Sequence, residues 1–269
     1  MDTESTIQPP VNPLLANIRI PGETFRLPSQ GLFYTNGELD DGVVNGEVEV
    51  YPMTAMEEVI LSTPDKLLSG KAVVEIFSNC IPQIKNPGAL LAKDVDFLMV
   101  CLRMVTFGQF MEIMYQHSCE NAKSHSYMVD LQKMIRETRS IDATKLQAEY
   151  THTLPNGQVA KLKPLTYSDM VALFQNTAMS KGDSSTDEEN KKVFIQTLAR
   201  VVQSVDGVTD KAFIEEWMTK ISWGWKREIE RAAQSVSQWG TEFVSTHTCK
   251  DCGEELKIYV SANPVNFFM

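Results

Sequence analysis

The sequence predicts an α+β protein: a small N-terminal β element, a mainly helical body, and two β-hairpins that form a zinc-ribbon-like element. Three observations carry that reading. Glu47-Val48-Glu49-Val50-Tyr51 alternates charged and apolar side chains, the mark of a half-buried strand. Residues 54–80 and the dense apolar run to Phe107 keep a helical period. Short β-rich runs then flank turn signals, Pro155-Asn156-Gly157 and Cys249-Lys250-Asp251-Cys252-Gly253.

In chain order, residues 1–19 carry Pro9, Pro10 and Pro13 among polar side chains without periodicity, which predicts an extended arm ordered by a partner. Residues 20–53 hold the β element, with Phe25-Arg26-Leu27 as one strand signal and Glu47 to Tyr51 as the other. Asn36-Gly37, Asp41-Gly42 and Asn45-Gly46 between them suit tight turns.

Residues 54–241 form the helical body, with hairpins expected at about 110–131 and 150–163. Thr54 with Glu57 and Glu58 reads as a helix cap, and the helical region ends at Ile81-Pro82. A second helix is expected from about Pro87 to Phe107, where Gly108 stops it. Phe110 to Gln116 and Tyr127 to Leu131 read as strands around the stretch His117 to His125. Tyr150 to Leu154 and Val159 to Leu162 form the other hairpin. Helices resume from Thr166 to about Met179, from Glu188 to Val205 after the polar break 180–185, from the cap Thr209-Asp210 through Ile221, and from Lys226 to Val236. Residues 242–269 supply a strand to Thr248, the Cys-x-x-Cys turn, a strand from Glu255 to Val260, and a tail.

Composition narrows function. The 269 residues are 43% hydrophobic and 22% charged, enough to bury a core. Lys and Arg number 25 against 35 Asp and Glu, a net charge of -10, and no basic patch is found, only scattered basic residues and isolated pairs such as Lys191-Lys192 and Lys226-Arg227. Nucleic acid is therefore not an expected partner. No apolar run approaches the roughly 20 residues of a membrane span, and the acidic N-terminus is unlike a secretory signal, so a soluble chain made in the cytoplasm is expected.

The search for catalytic chemistry finds no nucleophile elbow, phosphate loop, dinucleotide fingerprint or His-Glu-x-x-His, so no enzyme is expected. Glu57-Glu58, Glu188-Glu189 and Glu215-Glu216 read as first-turn helix charges. His152 reads as a surface or packing residue, and Cys80 and Cys101 as core. Trp217, Trp223 and Trp225 cannot share one helix face, which leaves either a protein contact or a core helix with a bent turn.

The sharpest signal is Cys249 with Cys252, two thiols on a tight turn that Gly253 lets close around a metal. Cys119, with His117 or His125, can complete a tetrahedral set from the earlier hairpin. Reduced thiols facing each other, or packed on Phe243 and Tyr259, are an alternative, and redox chemistry a further one. The latter normally places a helix after the first cysteine, whereas a strand follows here.

Leu27-Pro28-Ser29-Gln30-Gly31-Leu32-Phe33-Tyr34, Gly46 to Thr54, and Leu67-Leu68-Ser69-Gly70-Lys71-Ala72 resemble the opening of T4-type bacteriophage baseplate hub proteins. Leu102 to Gly108 with Met111-Glu112, Leu154-Pro155-Asn156-Gly157, Val205 to Asp210, and Cys249 to Gly253 followed by Asn263-Pro264 and Phe267-Phe268 continue the likeness. The resemblance implies a structural subunit of the baseplate hub of a contractile-tailed phage. It would act through contacts with other baseplate and tail proteins in a symmetric assembly, and reside in the virion. It equally admits a transient hub assembly factor absent from the mature virion. It also implies two hairpins sharing a zinc through paired Cys-x-x-Cys turns. This chain departs from that pattern, having His117, Cys119 and His125 where the first pair is expected. The expected Zn2+ ligands are Cys249, Cys252, Cys119 and His117, the last preferred to His125 for its closeness to Cys119. Loss of the metal with retention of the fold is the other outcome.

Overall fold

The computed structural model describes residues 20–119, 123–144, 150–180, 195–262 and 264–268. The arm expected over residues 1–19, and the polar break with the start of the helix expected from Glu188, lie outside the described residues. The architecture is α+β, with helices and, among the described residues, four small antiparallel sheets.

Strand β1 (Glu23–Arg26) pairs antiparallel with β2 (Glu47–Val50), Glu23 opposite Val50 and Arg26 opposite Glu47. Alternation along β2 sends Val48 and Val50 into the main core and leaves Glu47 exposed. Gly46 closes the preceding turn at φ +70°. A Cβ there would lie 2.8 Å from backbone atoms of Gln30 and Gly31, so the approach of these two loops requires glycine.

The helical region after Thr54 divides into α1 (Ala55–Leu61), α2 (Pro64–Leu68) and α3 (Lys71–Cys80). Pro64 opens α2, and Gly70 precedes α3 with φ +72°. Thr54 and Glu57 form the expected capping box: the Thr54 backbone N–H donates to Glu57 Oε2 at 2.8 Å.

The helix expected from Pro87 instead comprises a 3-10 turn at Pro87–Ala89 and then α4 (Ala92–Phe107). Leu90 and Leu91 are extended between them because this segment pairs with residues around Thr166: Tyr167 N–H donates to Leu90 O at 2.7 Å, and Ala92 N–H to Leu165 O at 2.9 Å. In α4, Asp94 is fully buried. It accepts from Ser29 N–H at 3.0 Å and from the Tyr34 hydroxyl at 2.5 Å, tying the N-terminal loop to the helix. Burial pushes its carboxyl up to about 6.

Strands β3 (Phe110–Gln116) and β4 (Ser124–Asp130) form the first hairpin. The strand expected to reach Leu131 stops one residue earlier. Asp130 there accepts from Lys133 N–H at 3.0 Å and caps a helix the sequence reading lacked, α5 (Leu131–Arg136). Leu131 and Met134 then reach the main core on one helix face.

The second hairpin, β5 (Thr151–Thr153) and β6 (Val159–Leu162), gains a third strand, β7 (Val202–Val205). Residues 195–201 are helical, so the helix expected through Val205 ends four residues early. β6 has an open edge, and the valines at 202 and 205 suit a ladder better than a helix turn: Leu162 pairs with Val202 and Ala160 with Val205.

Helix α6 (Tyr167–Ser180) packs by the start of α4. Asp210 and Ser222 cap α7 (Lys211–Lys220) and α8 (Trp223–Ser235) through their side-chain oxygens. Their inner faces join β5–β7 in a second core that includes Leu162, Val202, Ile214, Met218 and Ile229. Trp217 and Trp225 pack partly against it while Trp223 is exposed. Strands β8 (Val244–Thr248) and β9 (Glu255–Tyr259) form the last hairpin. The final helix, α9 (Pro264–Phe268), returns Phe267 and Phe268 to the main core, where Arg103 on α4 donates to the Phe267 carbonyl.

Candidate metal centre

Two hairpin ends, far apart in sequence, meet here. Leaving β3, the chain places His117 and Cys119 in the loop before β4. Between β8 and β9, residues 249–254 form a tight turn: Cys249 N–H donates to Glu254 O at 2.8 Å and Gly253 N–H to Cys249 O at 3.0 Å. Gly253 has φ +79°, the left-handed geometry that brings the chain back beneath both cysteines.

One ligand atom from each of His117, Cys119, Cys249 and Cys252 lies within 4.8 Å of the other three. Cys119 Sγ is 4.0 Å from Cys249 Sγ, and Cys252 Sγ is 3.4 Å from His117 Nδ1. A tetrahedral zinc with ordinary metal–ligand lengths has sulfur–sulfur edges of about 3.8 Å and sulfur–nitrogen edges of about 3.5 Å. The donor set and its spacing therefore fit such an ion. All five cysteines are free thiols, and a 4.0 Å separation is about twice a disulfide bond.

The electrostatics differ along the set. Backbone N–H groups of Cys252 and Asp251, together with the Cys252 and His117 side chains, hold the Cys249 thiol down at about 6, so it is poised as a thiolate. Burial and the neighbouring Cys252 and Cys249 push Cys119 up to about 11. A divalent cation reverses that second effect because it stabilises each thiolate directly.

The site has support below and beside it. Tyr127, Leu256 and Ile258 make a small apolar cluster with buried Cys249, against which Ile113, Tyr115 and Cys119 pack. Lys250 Nζ donates to Ser126 O at 2.7 Å and sits 5.2 Å from the Tyr127 ring centre. His125, the other candidate, lies outside the cluster: its Nε2 is 2.9 Å from Asp251 Oδ1, and Asp251 also accepts from Lys123 N–H at 3.0 Å. Sequence reading missed this latch, for which His125 opposite an acidic Cys-x-x-Cys turn was the available signal.

The packing imagined for plain thiols differs from what is found. Phe243 meets Phe267 edge to face against the main core, and Tyr259 is exposed. Cys80 and Cys101 lie in the main core, where burial pushes the Cys80 thiol up to about 12 and also raises that of Cys101. Half-buried His152 stands 3.8 Å from Glu228.

Among the described residues no helix is long and apolar enough to cross a membrane. The family model described as T4 bacteriophage base plate protein matches residues 38–269. Neither a curated protein nor a solved structure matches the chain.

Proposed function

The chain belongs to the T4 bacteriophage base plate protein family, and from that premise we propose that it is a structural subunit of the baseplate hub of a contractile tail. It acts through protein contacts and without catalysis, beside other baseplate and tail proteins in a symmetric assembly. The family match, spanning most of the chain, carries this reading. The arrangement of the chain supports it: the hairpin at residues 110–130 and the C-terminal hairpin converge on three thiols and one imidazole, a donor set that fixes shape. The proposed ion is a structural Zn2+ held by His117, Cys119, Cys249 and Cys252. All four positions are taken by protein, which leaves no open coordination site for chemistry.

The second reading, a hub assembly factor that departs before the particle is complete, shares the same family. Quantitative mass spectrometry of purified virions separates the two. A stoichiometric amount relative to other baseplate proteins is expected, and absence from virions with abundance in infected cells would replace the subunit by the assembly factor.

A further inference from the structure

A groove of about 630 Å³ runs between α5 and β8, and Met128, Lys133, Met134, Val244, Thr246 and Lys257 are among its lining residues. Strand β8 turns its unpaired edge to it. Val260 N–H donates to Phe243 O and Cys249 N–H to Glu254 O, so in the one-for-one register the odd-numbered residues of β8 bond to β9. The main-chain groups of Val244, Thr246 and Thr248 point the other way and have no main-chain partner among the described residues. On β4 the bond from Leu131 N–H to Gln109 O sets the same parity, so Met128 also turns its main-chain groups away from its hairpin partner.

Other edges are guarded. At β2, Glu49 N–H donates to Gln83 Oε1 at 2.6 Å, and at β7 Lys211 Nζ donates to Val202 O. β1, β3 and β9 carry charged side chains, a common block to strand addition. Val244-Ser245-Thr246-His247-Thr248 has no Lys, Pro, acid or bulge across five paired residues.

That edge specifies its occupant. A row of main-chain donors and acceptors at strand spacing matches another extended main chain, whereas a helix satisfies its own groups internally. The rim charges are largely spent on each other, Lys133 standing 3.8 Å from Glu137 and Arg139 pairing with Glu242. Lys257 has no ion pair among the described residues, and Tyr259 is 78% exposed. Thr246 pairs with Lys257 and Val244 with Tyr259, so an added strand extends both rows on the same face. An acidic residue beside Thr246 comes within reach of the long Lys257 side chain, and an apolar one two positions away covers Val244 and Tyr259.

Resting on the proposed role in the baseplate hub, we infer that this groove takes an extended segment of a neighbouring protein as a further strand on the free edge of β8. The segment carries an acidic and an apolar residue two positions apart on one face.

Phage carrying Thr246→Pro or Thr246→Ala separate main chain from side chain. Proline removes an N–H that β9 does not use, so the hairpin ladder is kept, and alanine leaves the edge whole. With both variants folded by circular dichroism, infectious yield should fall about tenfold or more with proline and stay within about twofold of native with alanine. A native yield with proline, or equal losses from both, overturns the proposal. Where proline prevents folding, hydrogen exchange on the native chain decides. Amides at residues 244, 246 and 248 should exchange freely in the isolated full-length protein and about tenfold or more slowly in assembled baseplates, or in a hub intermediate from infected cells where virions lack the protein. No added protection there overturns the proposal, and protection that grows with the concentration of the isolated chain replaces the neighbour by a second copy. Presence in virions is measured separately, so failure of the subunit reading is told apart from failure of the edge.

Discussion

Cys252 Sγ lies 3.4 Å from His117 Nδ1 although 135 residues separate them in the chain. No local interaction explains that approach. It is produced by two hairpins, each folded by its own turn and each packed on the small Tyr127–Leu256–Ile258 cluster.

The first prediction is that metal holds this approach together. Protein purified without chelator should carry about one zinc per chain, and Cys252→Ser should lose the metal and melt more than about 5 °C lower. A chelator should act alike on the unmodified protein. Elemental analysis below about a tenth of a zinc per chain would leave four reduced ligands without an ion.

A second prediction distinguishes the two histidines. His117→Ala should weaken metal binding by at least about tenfold, whereas His125→Ala should retain the ion and cost only the contact with Asp251. His117→Cys should bind as well as the native residue, since a fourth thiolate suits the same tetrahedron. Cobalt substitution reads both, because its visible bands report the number of thiolates. Equal losses from His117→Ala and His125→Ala would contradict the assignment.

Asp94 supplies a prediction in pH. Its carboxyl is raised to about 6 when folded, against about 3.9 in an unfolded chain, so the folded state binds the proton more tightly between those values. The contribution of Asp94 to stability is therefore greatest below about pH 4 and falls as pH rises to about 6. Asp94→Asn keeps an oxygen acceptor for Ser29 N–H but puts an amide NH2 where Oδ2 accepts from the Tyr34 hydroxyl, so it should lower stability at every pH while removing that pH-dependent component, on the order of 2–3 kcal/mol at full ionisation. Denaturant melts of both proteins at pH 4 and pH 7 measure it. An unchanged difference between the two pH values means Asp94 ionises normally.

Gly70 gives a steric prediction. With φ +72° and a would-be Cβ 2.5 Å from Val171 Cγ2, Gly70→Ala should destabilise the protein by about 1–3 kcal/mol through both backbone strain and the α6 contact. Gly157→Ala, also at positive φ but with open space around it, should cost only the backbone part. Equal midpoints for the two variants would dismiss the contact with Val171.

Removal of residues 1–19 should leave the body folded, because this proline-bearing stretch has no apolar periodicity with which to build a core of its own, and should reduce incorporation into baseplates. Circular dichroism of the truncated chain and its yield in assembled particles test each half. Loss of folding would make the arm part of the core.

Local chemistry alone determined a good deal of this protein. Alternation at Glu47 to Val50, the Thr54–Glu57 capping box, the Asn156-Gly157 turn and the Cys-x-x-Cys turn are short-range matters, settled by side-chain period and permitted φ, and so could be read directly. Long-range packing decided the rest. Val202 to Val205 left a helix because β6 offered an open edge. Leu90 and Leu91 straightened because residues 165–167 paired with them, and Leu131 turned into a helix because Asp130 could cap it over the core. The four residues of the candidate metal centre were recognisable as types and spacings. Their meeting, and the exclusion of His125 through Asp251, came from the joint packing of two hairpins, since a sequence records which ligands exist but a folded surface fixes which face one another.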